Sequence, residues 1–147
     1  MRHATLDDYD VIMKLFRVHS DIFPYMRQDT LREKIQGEGG LVIFDDNVVI
    51  IYLRYKRKSR LGNNQTQVGD VVIHELVKGD GGNARNVVER FFRYVGSPVW
   101  TTVRSDNIRA KRFYEKIGMK RTGEIFWSNG DLKGDVYKTD SLESFLA

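Results

Sequence analysis

There is no cysteine in the 147 residues, and there are only two prolines and three histidines. The first absence excludes a disulfide scaffold, a thiolate zinc site and a covalent cysteine mechanism. The histidines, at positions 3, 19 and 74, stand far apart, so no metal-ligand spacing is visible and no metal is expected. No apolar run approaches the roughly 18 residues of a membrane helix, and no membrane partner is expected. The first residues, Met1 to Asp8, lack the apolar core of a signal peptide, so the expected location is cytoplasmic. There is no internal repeat, no low-complexity tract and no linker. The chain therefore reads as a single domain over 1–147, with 139–147 as a disordered tail.

What is present suits a folded protein: 41% hydrophobic residues, 12% aromatics and a net charge of +4. A positive charge favours anionic partners without choosing among them. The most informative stretch is Val99 to Met119. It begins as a β-branched and aromatic strand to Val103 and passes through Arg104, Ser105 and Asp106 into a helix. Ala110, Phe113, Tyr114 and Ile117 repeat at i, i+3, i+4 and i+7, one apolar face. Asp106 or Asn107 is placed to cap this helix, and Gly118 to end it in the left-handed conformation.

In chain order, Arg2 to Thr5 reads as a short strand. A helix follows with Ile12, Leu15, Phe16 and His19 on one face, and a second begins at a Thr30–Glu33 capping box. Leu41 to Phe44 and Val48 to Tyr55 form a hairpin around Asp45-Asp46-Asn47, and a third strand runs from about Gln67 to Val77. A glycine-rich turn, Gly79-Asp80-Gly81-Gly82-Asn83-Ala84, leads into a helix that turns Val87, Val88, Phe91 and Val95 inward. Strand, glycine loop and helix N-terminus together make an anion site. After the Val99–Met119 stretch, Lys120 to Trp127 and Leu132 to Lys138 form a last hairpin around Asn129-Gly130.

The segment Asn107, Ala110 and Phe113-Tyr114-Glu115-Lys116-Ile117-Gly118-Met119 resembles the strand–helix motif of GNAT-superfamily N-acetyltransferases. The element order, βααβββαβαββ, resembles that fold throughout. The resemblance implies an α/β (α+β) architecture, a mixed, mostly antiparallel seven-stranded sheet flanked by four helices. It implies transfer of an acetyl group from acetyl-CoA, the acyl-donor cosubstrate, to a primary amine by direct attack in a ternary complex. The acceptor is a small molecule or a protein amine, and a homodimer stays open. The residues matching the cofactor side are Val77, Lys78, Gly79, Gly81, Gly82, Asn83, Ala84, Asn107, Ala110 and Phe113. The family's Gln/Arg-x-x-Gly-x-Gly/Ala loop is matched here by Gly82 and Ala84, but Gly79 stands where the leading Gln or Arg belongs. A bulky side chain at Gly82 is expected to block a pyrophosphate while leaving the fold intact.

By the same resemblance Tyr114 is the catalytic acid that protonates the leaving thiolate, and a phenol suits that task because the two pKa values lie within about 1–2 units. Core packing is the other reading, since Tyr114 lies on the apolar stripe. The base is His74 or Glu75; neighbours on a strand face opposite ways, so only one serves. A backbone N–H near Val77 or Lys78 is placed to polarise the thioester carbonyl. Phe23, Tyr25 and Trp127 are candidate walls for the acceptor. The basic run Arg54, Lys56, Arg57, Lys58 and Arg60 supports a rival reading, an inactive scaffold of this fold that binds nucleic acid or another anion. A solvated hairpin explains the same charges.

Overall fold

Runs of β-branched residues set the strands of this protein, whose computed structural model describes residues 1–19, 28–37 and 41–139. Strands β1 (Leu41–Asp45), β2 (Val48–Arg54), β5 (Val71–Lys78), β6 (Val99–Arg104), β7 (Met119–Trp127) and β8 (Leu132–Thr139) form one sheet in the order β1-β2-β5-β6-β8-β7. Two short strands, β3 (Ser59–Leu61) and β4 (Asn64–Thr66), pair as a separate ribbon. The helices are α1 (Tyr9–Val18), α2 (Gln28–Ile35), α3 (Ala84–Val95) and α4 (Ile108–Lys116).

The sheet is mixed and mostly antiparallel, as expected, but among the described residues it has six strands and not seven. The expected strand Arg2–Thr5 makes only one bridge, His3 to Ile43, with the Ala4 N–H on the Val42 carbonyl at 2.9 Å. The chain then turns directly into a short 3-10 segment at Leu6–Asp8, where the Asp8 carboxylate takes the Thr5 N–H at 2.8 Å. The third strand starts at Val71 and not near Gln67, because Gly69 and Asp70 form a turn tied to Tyr55 by two backbone hydrogen bonds. Helix α2 starts at Gln28, so Thr30 lies inside it and is no cap. Thr139 belongs to β8 and is buried, with its hydroxyl accepting the Val99 N–H at 3.1 Å; the rest of the expected tail lies outside the described residues.

By contacts the chain divides into two compact units, Met1–Leu53 with His74–Val88, and Arg54–Ile73 with Glu89–Ala147. Strand β5 and helix α3 run through both. In the first unit Tyr9, Ile12, Met13 and Phe16 of α1 cluster with Leu31, Val42, Val49, Ile51 and Val77. Tyr9 and Met13 thus fill the face on which His19 was expected. In the second unit β5 runs parallel to β6, pairing Val71, Val72 and Ile73 with Val99, Trp100 and Thr101. The buried side chains there include Phe91, Phe92, Val95, Val103, Ile117, Met119, Val136 and Tyr137.

Candidate active site

In the first unit the site residues lie along the end of β5 and the turn that follows. Val77 is buried in the cluster beneath α1, and strand alternation puts Glu75 on that same face, with His74 and Leu76 on the other. Glu75 is half-buried. Desolvation pushes its pKa up to about 7, against a smaller opposite pull from Lys34 of α2. His74 moves the other way: desolvation and then Lys34 hold it below the usual imidazole value, though its surface stays exposed. At neutral pH Glu75 is therefore poised to accept a proton, the condition for an efficient general base. A carboxyl that the fold prefers protonated has a stability consequence. Its contribution is fullest at low pH and is lost as pH rises from the ordinary 4.5 towards about 7.

The glycine turn does not project freely. It packs on the β1–β2 turn, whose central residues Asp46 and Asn47 have φ of +48° and +56°. The Gly79 N–H donates to the Asn47 carbonyl at 2.8 Å, and the Asn47 amide donates to the Asp80 carbonyl at 2.8 Å. The Gly82 N–H returns to the Gly79 carbonyl at 3.1 Å. Asn83 caps α3 by accepting the Asn86 N–H at 3.0 Å, while its own N–H donates to the Asp46 carboxylate at 3.3 Å. Gly81, at φ +75°, is exposed, Ala84 half-buried and Lys78 exposed.

Gly82 corrects the expectation of a silent blocking substitution. A Cβ there would stand 2.9 Å from the carbonyl oxygens of both Asp46 and Asn47, and 3.2 Å from that of Gly79. Backbone cannot swing away as a side-chain tip can, so loop and turn must part. Gly82→Ala alone is expected to cost about 1–3 kcal/mol, the range for overpacking, measured by urea titration. An unchanged midpoint would show that the turn yields freely.

In the second unit, Asn107 caps α4 by accepting the Ala110 N–H at 3.1 Å, one of the two caps expected. Gly118 takes φ +93° just past the helix, the left-handed stop that the sequence suggests. Tyr114 is buried, its ring edge-on to Phe113 at 5.3 Å and 6.4 Å from Tyr137; Ala110 and Phe113 are half-buried.

The sequence reading missed what holds α4 to the hairpin. Asp135 of β8 is buried and takes Lys111 Nζ at 3.0 Å and Arg121 Nε at 2.8 Å. Burial alone would raise its pKa, but the hydrogen bonds and charges of Arg121 and Lys111 outweigh it and leave the carboxyl below its ordinary value. The Tyr137 hydroxyl donates to Glu115 of α4 at 2.9 Å; burial and that partner push its pKa up to about 12. The available signal was an aspartate inside a strand pattern, a poor strand former that needs a reason to be there.

Trp127 lies across Gly134 of β8, whose added Cβ would strike the indole ring; Phe23 and Tyr25 lie outside the described residues. Arg54 is no free member of the basic run, because its guanidinium donates to the carbonyls of Gly69 and Val95 and to the Ser97 hydroxyl at 2.8–3.1 Å. Lys56, Arg57, Lys58 and Arg60 are exposed. Among the described residues, no group of three His, Cys, Asp or Glu side chains is placed to hold a metal. No helix among them is long and apolar enough to cross a membrane.

Comparison with solved structures shows that the chain has the fold of GNAT-family acetyltransferases. A probable acetyltransferase from Staphylococcus epidermidis superposes with a TM-score of 0.69 at 13% identity, over 93% of this chain and 95% of that one. An N-acetyltransferase from Staphylococcus aureus gives 0.68 at 14% identity, over 95% of each. A spermidine N-acetyltransferase SpeG chimera from Vibrio cholerae and hSSAT gives 0.66 at 14% identity, over 99% of this chain and 98% of that one. No family model matches the chain, and no curated protein matches its sequence. At these identities the likeness is one of fold.

Proposed function

We propose that the chain is an acyl-CoA-dependent N-acyltransferase that moves acetyl from acetyl-CoA to a primary amine. The observation that carries the reading is Glu75, a half-buried carboxyl with pKa about 7, four residues before a glycine turn that opens helix α3. Fold alone does not assign chemistry, whereas a perturbed acid beside a glycine turn at a helix N-terminus supports it.

In this reading Glu75, rather than His74, accepts the proton of the attacking ammonium. The freed amine nitrogen bonds to the thioester carbonyl carbon. A backbone N–H at Val77 or Lys78 takes the negative charge that develops on the oxygen. As the carbon–sulfur bond breaks, Tyr114 gives its proton to the thiolate and the nitrogen gives up its second proton, which restores the phenol, so the products are the amide and free CoA with Glu75 protonated. Gly81, Gly82, Asn83 and Ala84 receive the pyrophosphate at the head of α3, and Asn107, Ala110 and Phe113 of the α4 region line the cofactor arm. The acceptor is an amine; spermidine, the substrate that the Vibrio cholerae chimera's name carries, belongs in the first panel tested together with peptide N-termini.

Calorimetry with acetyl-CoA is the direct test, and no heat at millimolar cofactor would remove the enzyme reading. The pH profile tests the base. kcat/KM is expected to rise through about pH 7 as Glu75 ionises and then level. Glu75→Gln should lower turnover by about 10²–10⁴-fold and abolish that limb. A limb that persists in Glu75→Gln would assign it to another group. Salt-sensitive oligonucleotide binding without acetyl-CoA binding would favour the scaffold reading.

A further inference from the structure

One carboxylate stands at the head of α3, the place that the proposed function gives to a phosphate. Asp46, at the tip of the β1–β2 hairpin, reaches the head of α3, and its Oδ2 accepts the Asn83 N–H at 3.3 Å. Contacts between the two turns hold it in range: the Gly79 N–H donates to the Asn47 carbonyl, the Asn47 side-chain amide donates to the Asp80 carbonyl, and the carbonyls of residues 46 and 47 close on Gly82. The carboxylate is an anion on an N-terminal helix amide, the group that favours negative charge there. The flanking acid, Asp45, is used differently, with its Oδ2 accepting the Arg2 N–H at 3.2 Å. A second exposed acid, Asp80, lies in the turn itself, and the exposed cations nearest in sequence are Lys78 and Arg85.

We propose that Asp46 is an internal occupant of the anion seat at the head of α3, so that any phosphate taken by the glycine turn must first displace it. The proposal rests on the function above only for the identity of the competing ligand. No bond is made or broken: an exposed carboxylate on a hairpin tip rotates out, and a diphosphate accepts the Asn83 N–H instead. Asp46 is thus a determinant of affinity. It keeps the helix head satisfied when no ligand is bound and weakens the grip on ligands whose charge is small.

The variant is Asp46→Asn, which keeps the size and suits a left-handed turn position, where asparagine is favoured. Asp45→Asn serves as control. Binding of sodium pyrophosphate at low ionic strength is followed at the Asn83 amide by NMR of nitrogen-15-labelled protein. Asp46→Asn is expected to take pyrophosphate at that amide at least about fivefold more tightly than the unaltered chain, the effect of removing one like charge about 4 Å away in a watery surround. Asp45→Asn is expected to show no such gain. Equal affinity in Asp46→Asn, an equal gain in Asp45→Asn, or no shift of the Asn83 amide in any of the proteins overturns the proposal. Acetyl-CoA titrated into the same samples separates the two claims. Tighter pyrophosphate with no acetyl-CoA binding keeps Asp46 in its role and removes the CoA reading. Acetyl-CoA binding with pyrophosphate unchanged keeps the reading and removes Asp46.

Discussion

Tyr114→Phe is expected to lower the chemical step by about 10²–10⁴-fold while leaving the melting temperature nearly unchanged. The ring is buried and meets Phe113 edge-on, and phenylalanine keeps that contact and the volume. Only the hydroxyl is lost, so CoA affinity should also hold, because the proton is needed in the transition state and not in the bound complex. Single-turnover kinetics would read the step itself. Normal turnover with chemistry rate-limiting would show that water protonates the thiolate. A sharply lower melting temperature, with activity per folded molecule intact, would make the hydroxyl a structural hydrogen bond.

The second large effect falls on stability. Asp135→Asn is expected to destabilise the fold by about 1.5–3 kcal/mol, because Lys111 and Arg121 lose charge-assisted hydrogen bonds to a buried carboxylate. Exposed ion pairs such as Arg104–Asp106 are worth about 0–1 kcal/mol, and removing that one should barely register. The pH dependence distinguishes the two. The folded pKa of Asp135 lies below the ordinary 3.8, so its contribution is complete above that value. It is lost as pH falls from there through the folded value. The unaltered protein should therefore lose stability in acid more steeply than Asp135→Asn does. Parallel acid curves for the two proteins would show that the carboxylate is not held by its partners.

Helix α3 was legible because Val87, Val88, Phe91 and Val95 repeat with a helical period, though buried Phe92, beside the stripe, was missed. The last hairpin was legible because Asn129-Gly130 fixes its turn, with Asn129 at φ +56° as such a turn demands. The Asn107 cap and the Gly118 stop follow from local chemistry alone. The β3–β4 ribbon was illegible for the opposite reason: its three-residue strands carry no apolar alternation, and only the Gly62-Asn63 turn marked the place. The seventh strand failed because Arg2–Thr5 is too short and polar to make more than one bridge. In the site, residue types were readable but partnerships between distant residues were not. Asp46 lies 37 residues before Asn83, and Asp135 lies 24 after Lys111, and no local period links such pairs.

The two tryptophans carry an optical consequence. Both Trp100 and Trp127 belong to the unit formed by Arg54–Ile73 and Glu89–Ala147; the unit formed by Met1–Leu53 and His74–Val88 has none. Trp100 is buried, its indole N–H on the Asp70 carboxylate at 2.9 Å and Lys138 Nζ 4.8 Å from its ring centre. Tryptophan emission is therefore a one-sided reporter: it follows the loss of the Trp100–Asp70 bond, while the glycine turn and Glu75 belong to the unit without a tryptophan. A denaturation curve by fluorescence that coincides with one by far-ultraviolet circular dichroism means that the two units melt together. If the dichroism changes first, the dark unit opens on its own, and the emission of this protein understates how readily its proposed cofactor turn comes apart.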